Sequence, residues 1–156
     1  KSNRPLNADE LRSLAEDRHA FLMCRLYQSL AGDRIRAGSG LVLADAGQLR
    51  RLLLNLVLNA LQACSPGGRI EITVESTPTL INLRVQDTGC GIAPDDLAHV
   101  TEPYFSRFES GCGLGLALVE QIAVAHGWTL DIDSVPGDGT TVTLRGMARV
   151  EDVRGE

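Results

Sequence analysis

AGQLRRLLLNLVLNALQAC, Ala46 to Cys64, is the stretch that decides the fold. Leu49, Leu52, Leu53, Leu56, Val57, Ala60 and Leu61 recur at the 3.6-residue period of an α-helix and define one apolar face. Leu54 and Leu58 widen that face, so most of the helix must be covered by other elements. Asp45 stands at the N-cap position, and Ser65-Pro66-Gly67-Gly68 stops the run. Asn55 and Asn59 interrupt the apolar surface one turn apart, on one side of the helix and roughly 6 Å apart along its axis. A buried amide needs partners. Two accounts remain open from spacing alone. The asparagines are structural and bond neighbouring loops, or they form a ligand site. For the second, the carboxamide oxygen is a hard donor suited to Mg²⁺, an ion that keeps several waters and bridges nucleotide phosphates.

Downstream, Ile70, Ile72 and Val74 alternate with Arg69, Glu71, Thr73 and Glu75, the pattern of a strand with one wet face. Ile81, Leu83 and Val85 repeat it after Thr77-Pro78-Thr79, so the two strands read as a hairpin. The same parity carries to Asp87 and puts its carboxylate on the core face, where a charge needs pairing or hydrogen bonds. Asp87 either ends a strand and starts a turn, or it awaits a ligand with N–H donors, such as the amino group of adenine. Gly89 and Gly91 either make that turn or clear space for a flat ligand. The chain is loop-rich from Asp87 to Gly115. Gly111-Cys112-Gly113-Leu114-Gly115-Leu116 then runs into a helix, Leu114 to His126, closed by Gly127. Glycines before a helix start offer backbone N–H groups and a partial positive charge to phosphate. The spacing is neither a GxxxxGK[ST] loop nor a dinucleotide fingerprint. Trp128, Leu130 and Ile132 mark a strand, residues 135–139 a turn, and Thr140, Val142 and Leu144 the last strand. Whether Thr140 also touches ligand stays open.

Upstream, Leu41 to Leu43 reads as a short strand, Phe21 to Leu30 as another, and Leu6 to Asp17 as a short helix with Asn7 at its N-cap. The expected organisation is residues 1–20 as linker and short helix, 21–149 as one folded domain, and 150–156 as a frayed tail. Strands interspersed with helices argue an α/β fold, a two-layer sandwich with a mixed, mainly antiparallel sheet against about three helices.

The 156 residues suit one core, with 44% hydrophobic and 22% charged residues. A net charge of -5 argues against general affinity for nucleic acid or an anionic membrane surface. No apolar run reaches the roughly 20 residues of a membrane helix. The start at Lys1 suggests a fragment of a longer protein, so a membrane segment in the parent stays open. Cys24, Cys64, Cys90 and Cys112 form no CxxC pair, and the three histidines are scattered, which argues against zinc and for free thiols in a reducing cytoplasm.

Taken in order, the motifs resemble the ATPase superfamily shared by histidine kinases, type II topoisomerases, mismatch-repair ATPases and heat-shock chaperones. NLVLNALQA resembles its asparagine box, DTGCGI the first glycine box, EPYFS the phenylalanine box, GCGLGLALV the second glycine box and GDGTTVTL the closing strand. The trailing HGWTLDIDSVPGDGTTVTL resembles histidine kinases in particular. The resemblance covers roughly Ala44 to Leu144 and implies the Bergerat form of the sandwich. It implies ATP and Mg²⁺ as cofactors, with Asn55 and Asn59 as the catalytic pair and Asn59 on the metal. It assigns Asp87 to the adenine amino group, Gly89, Gly91 and Ile92 to the adenine pocket, and Thr140 to its edge. Gly111, Gly113, Leu114, Gly115 and Leu116 fall on the phosphate side, and Phe105 anchors the lid.

The sequence departs from the related kinases at several points. Gln62 stands where they often carry a basic residue. Ser106-Arg107-Phe108 replaces a Thr-Thr-Lys run, leaving Arg107 to supply the charge in shifted register. Cys112 replaces Thr or Ser, Trp128 replaces Gly, and the segment from Phe105 to Gly111 is short. None of His19, His99 and His126 lies in the helical phosphoacceptor context of the family.

The implied function is the catalytic domain of a sensor histidine kinase, passing the γ-phosphoryl of ATP to a histidine elsewhere. Its implied partners are the phosphoacceptor dimerisation helices of the same kinase and a response regulator, with no nucleic acid and no direct membrane contact. Two alternatives stand beside it: an ATP-driven conformational ATPase of the superfamily, and a nucleotide-binding scaffold with weak catalysis. The conformational ATPases carry a glutamate base where Asn55 stands.

Overall fold

A computed structural model describes residues 34–37, 40–107 and 113–150. The helix expected at Leu6–Asp17, the strand at Phe21–Leu30, Gly111, Cys112 and the tail after Val150 lie outside the described residues. The described elements are β1 (Arg34–Ala37), β2 (Gly40–Leu43), α1 (Ala46–Ala63), β3 (Ile70–Ser76), β4 (Leu80–Asp87), α2 (Pro94–Leu97), α3 (Gly115–Ala125), β5 (Thr129–Val135) and β6 (Gly139–Val150). β1 was not expected from the sequence.

The long helix ends at Ala63, with Cys64 as its C-cap. Asp45 caps its start by accepting the Gln48 N–H at 2.8 Å. The other long helix loses one residue at each end to its caps, Leu114 and His126. Gly127 has φ +71°, and its N–H donates to the Val124 carbonyl while the Trp128 N–H donates to that of Ala123. This is a Schellman closure, the geometry for which a glycine in this place is needed.

The sheet runs β1-β2-β6-β4-β3, and β5 also pairs with β6. Every described strand pair is antiparallel. β6 is long enough to serve different partners along its length, with β5 beside its first half and β2 beside its last residues. The helices form the second layer, giving the two-layer α/β sandwich.

The core joins the apolar faces of α1 and α3 to β4 and β6. Leu52, Val57, Ile81, Val119 and Leu144 are its most deeply buried large side chains. Each such burial contributes about 1.5–3 kcal/mol relative to exposure. β3 behaves differently from its sequence pattern. Ile70 is buried, yet Ile72 and Val74 are 47% and 37% exposed. β3 ends the sheet order, so α1 covers only part of its inner face. Cys64 is buried and Cys90 exposed, and both are free thiols.

Candidate functional site

Asn55 and Asn59 lie half-buried on α1, on the side that meets the start of α3. The contact is close. A Cβ added to Gly115 would stand 3.1 Å from Asn59 Oδ1 and 3.3 Å from Asn55 Oδ1. Asn55 Nδ2 donates to the Arg51 carbonyl at 2.7 Å, which fixes its amide and turns Oδ1 away as an acceptor. Among the described residues nothing hydrogen-bonds the Asn59 carboxamide. Two polar oxygens therefore converge on the first residue of α3, where free backbone N–H groups and the helix dipole favour an anion.

Asp87 ends β4 on the core face, as strand parity requires, and is 7% exposed. Its Oδ1 accepts the Gly89 N–H at 2.8 Å and the Thr140 N–H at 3.3 Å. Oδ2 has no hydrogen-bond partner among the described residues. Burial raises the pKa of this carboxyl above the ordinary 3.8, and the two N–H donors oppose that rise. Thr140 is its direct neighbour on β6, and Ser134 on β5 is the next neighbour of Thr140. Asp87, Thr140 and Ser134 thus form one rung across three strands, and cross-strand partners share a face.

The glycines divide by role. Gly89 packs on the end of α1, where a Cβ would come within 2.7 Å of the Ala63 carbonyl oxygen, and the Cys90 N–H donates to that oxygen at 3.0 Å. Gly91, at φ +69°, would drive a Cβ to 2.1 Å from the Val135 carbonyl oxygen. Its neighbour Cys90 accepts the Gly137 N–H at 2.7 Å. The loop after β4 is therefore locked between α1 and the β5–β6 turn, and Ile92 is tied in through its N–H to Ser134 Oγ at 2.8 Å. Gly89 and Gly91 serve close backbone approach here.

Gly113, at φ +68°, lies against the backbone of Tyr104 and Phe105, and Tyr104 donates its N–H to the Gly113 carbonyl. Tyr104 itself has φ +68°, an uncommon value for a side chain of that size. Phe105 is half-buried with its ring 6.3 Å from that of His99. His99 in turn pairs with Glu102 at 2.8 Å. Arg107 donates to Asp96 on α2, so its guanidinium is engaged by protein. Leu114 is exposed as the α3 N-cap, and Leu116 is half-buried against the core.

Ser134 was missed by sequence reading. It sits in the Leu130–Ile132 alternation as one more inward residue, and parity could have placed it beside Thr140. His126 ties the end of α3 to the start of α1. Its Nε2 accepts the Asp45 N–H at 3.2 Å, its Nδ1 contacts the Ile122 carbonyl at 2.8 Å, and its ring stacks on Trp128 at 4.3 Å. This is a structural helix-end histidine.

An asparagine pair facing a glycine-led helix start in the helix layer, with a buried carboxylate at the end of β4 in the sheet layer, is an arrangement suited to a nucleotide. The chain belongs to the family described as histidine kinase-, DNA gyrase B-, and HSP90-like ATPase, which it matches over residues 44–147. It is 40% identical to sensor histidine kinase RppB of Synechocystis sp. over 107 residues, 65% of this chain and 24% of that protein. It is 43% identical to sensor histidine kinase ZraS of Escherichia coli K12 over 101 residues, 65% of this chain and 22% of that one. The chain therefore spans about a quarter of the length of these relatives. Among solved structures, mycobacterial sensor histidine kinase MprB aligns with a TM-score of 0.65 at 32% identity, covering 72% of this chain and 78% of that one. Full-length ShkA in complex with AMPPNP aligns with a TM-score of 0.66 at 27% identity, covering 95% of this chain and 31% of that one. Among the described residues no helix is long and apolar enough to cross a membrane.

Proposed function

We propose that this chain is the catalytic domain of a sensor histidine kinase. It binds Mg²⁺-ATP between α1, the loop after β4 and the start of α3, and it gives the γ-phosphoryl to a histidine on dimerisation helices of the same kinase. The phosphoryl group then passes to a response regulator. The observation that carries this reading is the convergence of Asn55 and Asn59 on Gly115. The likeness to sensor kinases and to an AMPPNP complex supports it.

In this reading residues 21–149 form the catalytic domain, 1–20 a preceding linker and 150–156 a tail. Asp87 takes the adenine amino group on its free oxygen, with Thr140 beside it. Ile92, held by Ser134, closes the adenine end behind Gly89 and Gly91. Gly111, Gly113, Leu114, Gly115 and Leu116 bring backbone and helix start to the phosphates, with Phe105 at the base of the lid. Arg107 reaches phosphate only by leaving Asp96.

The donor set fits Mg²⁺. Asn59 offers an uncommitted neutral oxygen, and among the described residues no cluster of three His, Cys, Asp or Glu side chains could hold a metal ion by itself. Asn59 would hold a hard ion such as Mg²⁺, which would supply neutralisation of phosphate charge. Asn55 and Asn59 orient the triphosphate, and the α3 start stabilises negative charge as it shifts toward the leaving oxygen. A histidine nitrogen forms the new P–N bond while the bond from the γ-phosphorus to its bridging oxygen breaks, and ADP leaves. Asn55 is not basic, so water lacks the positioned base that hydrolysis needs.

The test is to mix the chain with a phosphoacceptor helix pair and labelled ATP. Acid-labile phosphohistidine on the helices supports the proposal, and its absence with ATP bound overturns it.

A further inference from the structure

The hydrogen-bond arithmetic around Ser134 assigns it a task beyond folding. Ser134 Oγ accepts the Ile92 N–H at 2.8 Å. It donates to the Gly139 carbonyl at 3.0 Å and meets Thr140 Oγ1 at 2.8 Å. A serine hydroxyl carries one proton and two acceptor lone pairs. The Gly139 carbonyl can only accept, so it takes the serine proton. The Thr140 hydroxyl must then donate to Ser134. With its proton committed, Thr140 Oγ1 can offer only lone pairs to anything else that approaches. Thr140 stands on the same rung as Asp87, whose Oδ2 is likewise an acceptor.

We propose that Ser134 is a positioning residue for base selection: by taking the Thr140 proton it sets Thr140 and Asp87 as paired acceptors that demand an N–H donor from the base. This rests on the reading that the adenine amino group meets Asp87. A Thr140 hydroxyl free to rotate could donate to a ring nitrogen of a base that lacks an amino group. The lock held by Ser134 removes that option and sharpens selection for the amino group. Ser134 touches no part of the nucleotide in this account and acts through Thr140 and Ile92.

The experiment compares binding of ATP and of purine riboside triphosphate, which lacks the 6-amino group, by calorimetry with Mg²⁺ present. The wild-type chain should prefer ATP by about tenfold or more, the worth of one well-made hydrogen bond. In Ser134→Ala the preference should fall to about threefold or less, because ATP binding weakens while the analogue is held as well or better. Ser134→Thr keeps the hydroxyl and should restore the preference. A Ser134→Ala variant that loses affinity for both nucleotides in parallel, with the ratio intact, overturns the proposal and leaves Ser134 a structural residue. Loss of preference in Ser134→Ala and Ser134→Thr alike also overturns it. A wild-type chain that binds both nucleotides equally instead removes Asp87 from base reading, a failure of the underlying assignment.

Discussion

At the scale of single residues, the site uses polar groups that folding leaves incompletely satisfied. Asn59 costs the helix surface an amide with no partner among the described residues. In return it gives a free oxygen beside Gly115. Asn59→Ala should leave the domain folded and abolish the Mg²⁺-dependent part of ATP affinity, measured by titration with and without Mg²⁺. Unchanged Mg²⁺-dependent affinity would remove Asn59 from the metal. Asp87 makes the same trade more steeply. Burial raises its pKa above 3.8, so the native state binds this proton more tightly than the unfolded chain. The contribution of Asp87 to stability therefore declines as pH rises from 3.8 through the raised native value, and at neutral pH the buried charge is a net cost. Asp87→Asn keeps an oxygen for the Gly89 and Thr140 N–H groups. It should melt no lower than wild type at pH 7, with any gain shrinking toward pH 4, while ATP affinity is lost. A variant that binds ATP normally, or unfolds at neutral pH, would contradict this account.

Among elements, glycines separate a folding task from a binding task. Gly91 stands at φ +69° with the Val135 carbonyl in the space of a side chain. Gly91→Ala should destabilise the domain by more than about 1 kcal/mol, because left-handed backbone and a backbone clash add. Gly115 has ordinary helical backbone, where alanine gains up to about 1 kcal/mol of helix propensity. Its Cβ would press on the asparagine pair instead. Gly115→Ala should thus keep or raise the melting temperature and lower ATP affinity, a split read from thermal melts and titration on the same samples. Affinity unchanged in Gly115→Ala would detach the start of α3 from the phosphate site.

The legibility of these elements in sequence had a physical basis. α1 was readable because a long amphipathic period with an N-cap and a Pro-Gly-Gly stop leaves little alternative. The Asp87 position was readable from strand parity alone. Arg34–Ala37 escaped notice because its alternation, Ile35 and Ala37 between Arg34 and Arg36, is only four residues long and does not stand out as a strand. The exposure of Ile72 and Val74 was not readable either, since a strand's own pattern does not reveal that it ends the sheet. The Ser134 relay needed three strands brought into register, information that no single segment holds.

For the whole molecule, the asymmetry of the site sets what the chain can do alone. In the proposed function its groups bind and orient a triphosphate, and Asn55 offers no carboxylate to activate water. Of the described histidines, His126 is committed to Asp45 and Trp128 and His99 pairs with Glu102. The chain spans about a quarter of its sensor-kinase relatives, and under the proposed function the acceptor comes from sequence outside the aligned region. The most direct measurement incubates the purified chain with labelled ATP, alone and with an added phosphoacceptor helix pair, and follows released phosphate and protein-bound label together. The account predicts very slow hydrolysis and no labelling of the chain alone, and acid-labile phosphohistidine on the helices when they are present. Brisk turnover by the chain alone, with no label transferred to the helices, would contradict it and favour an ATP-driven conformational ATPase.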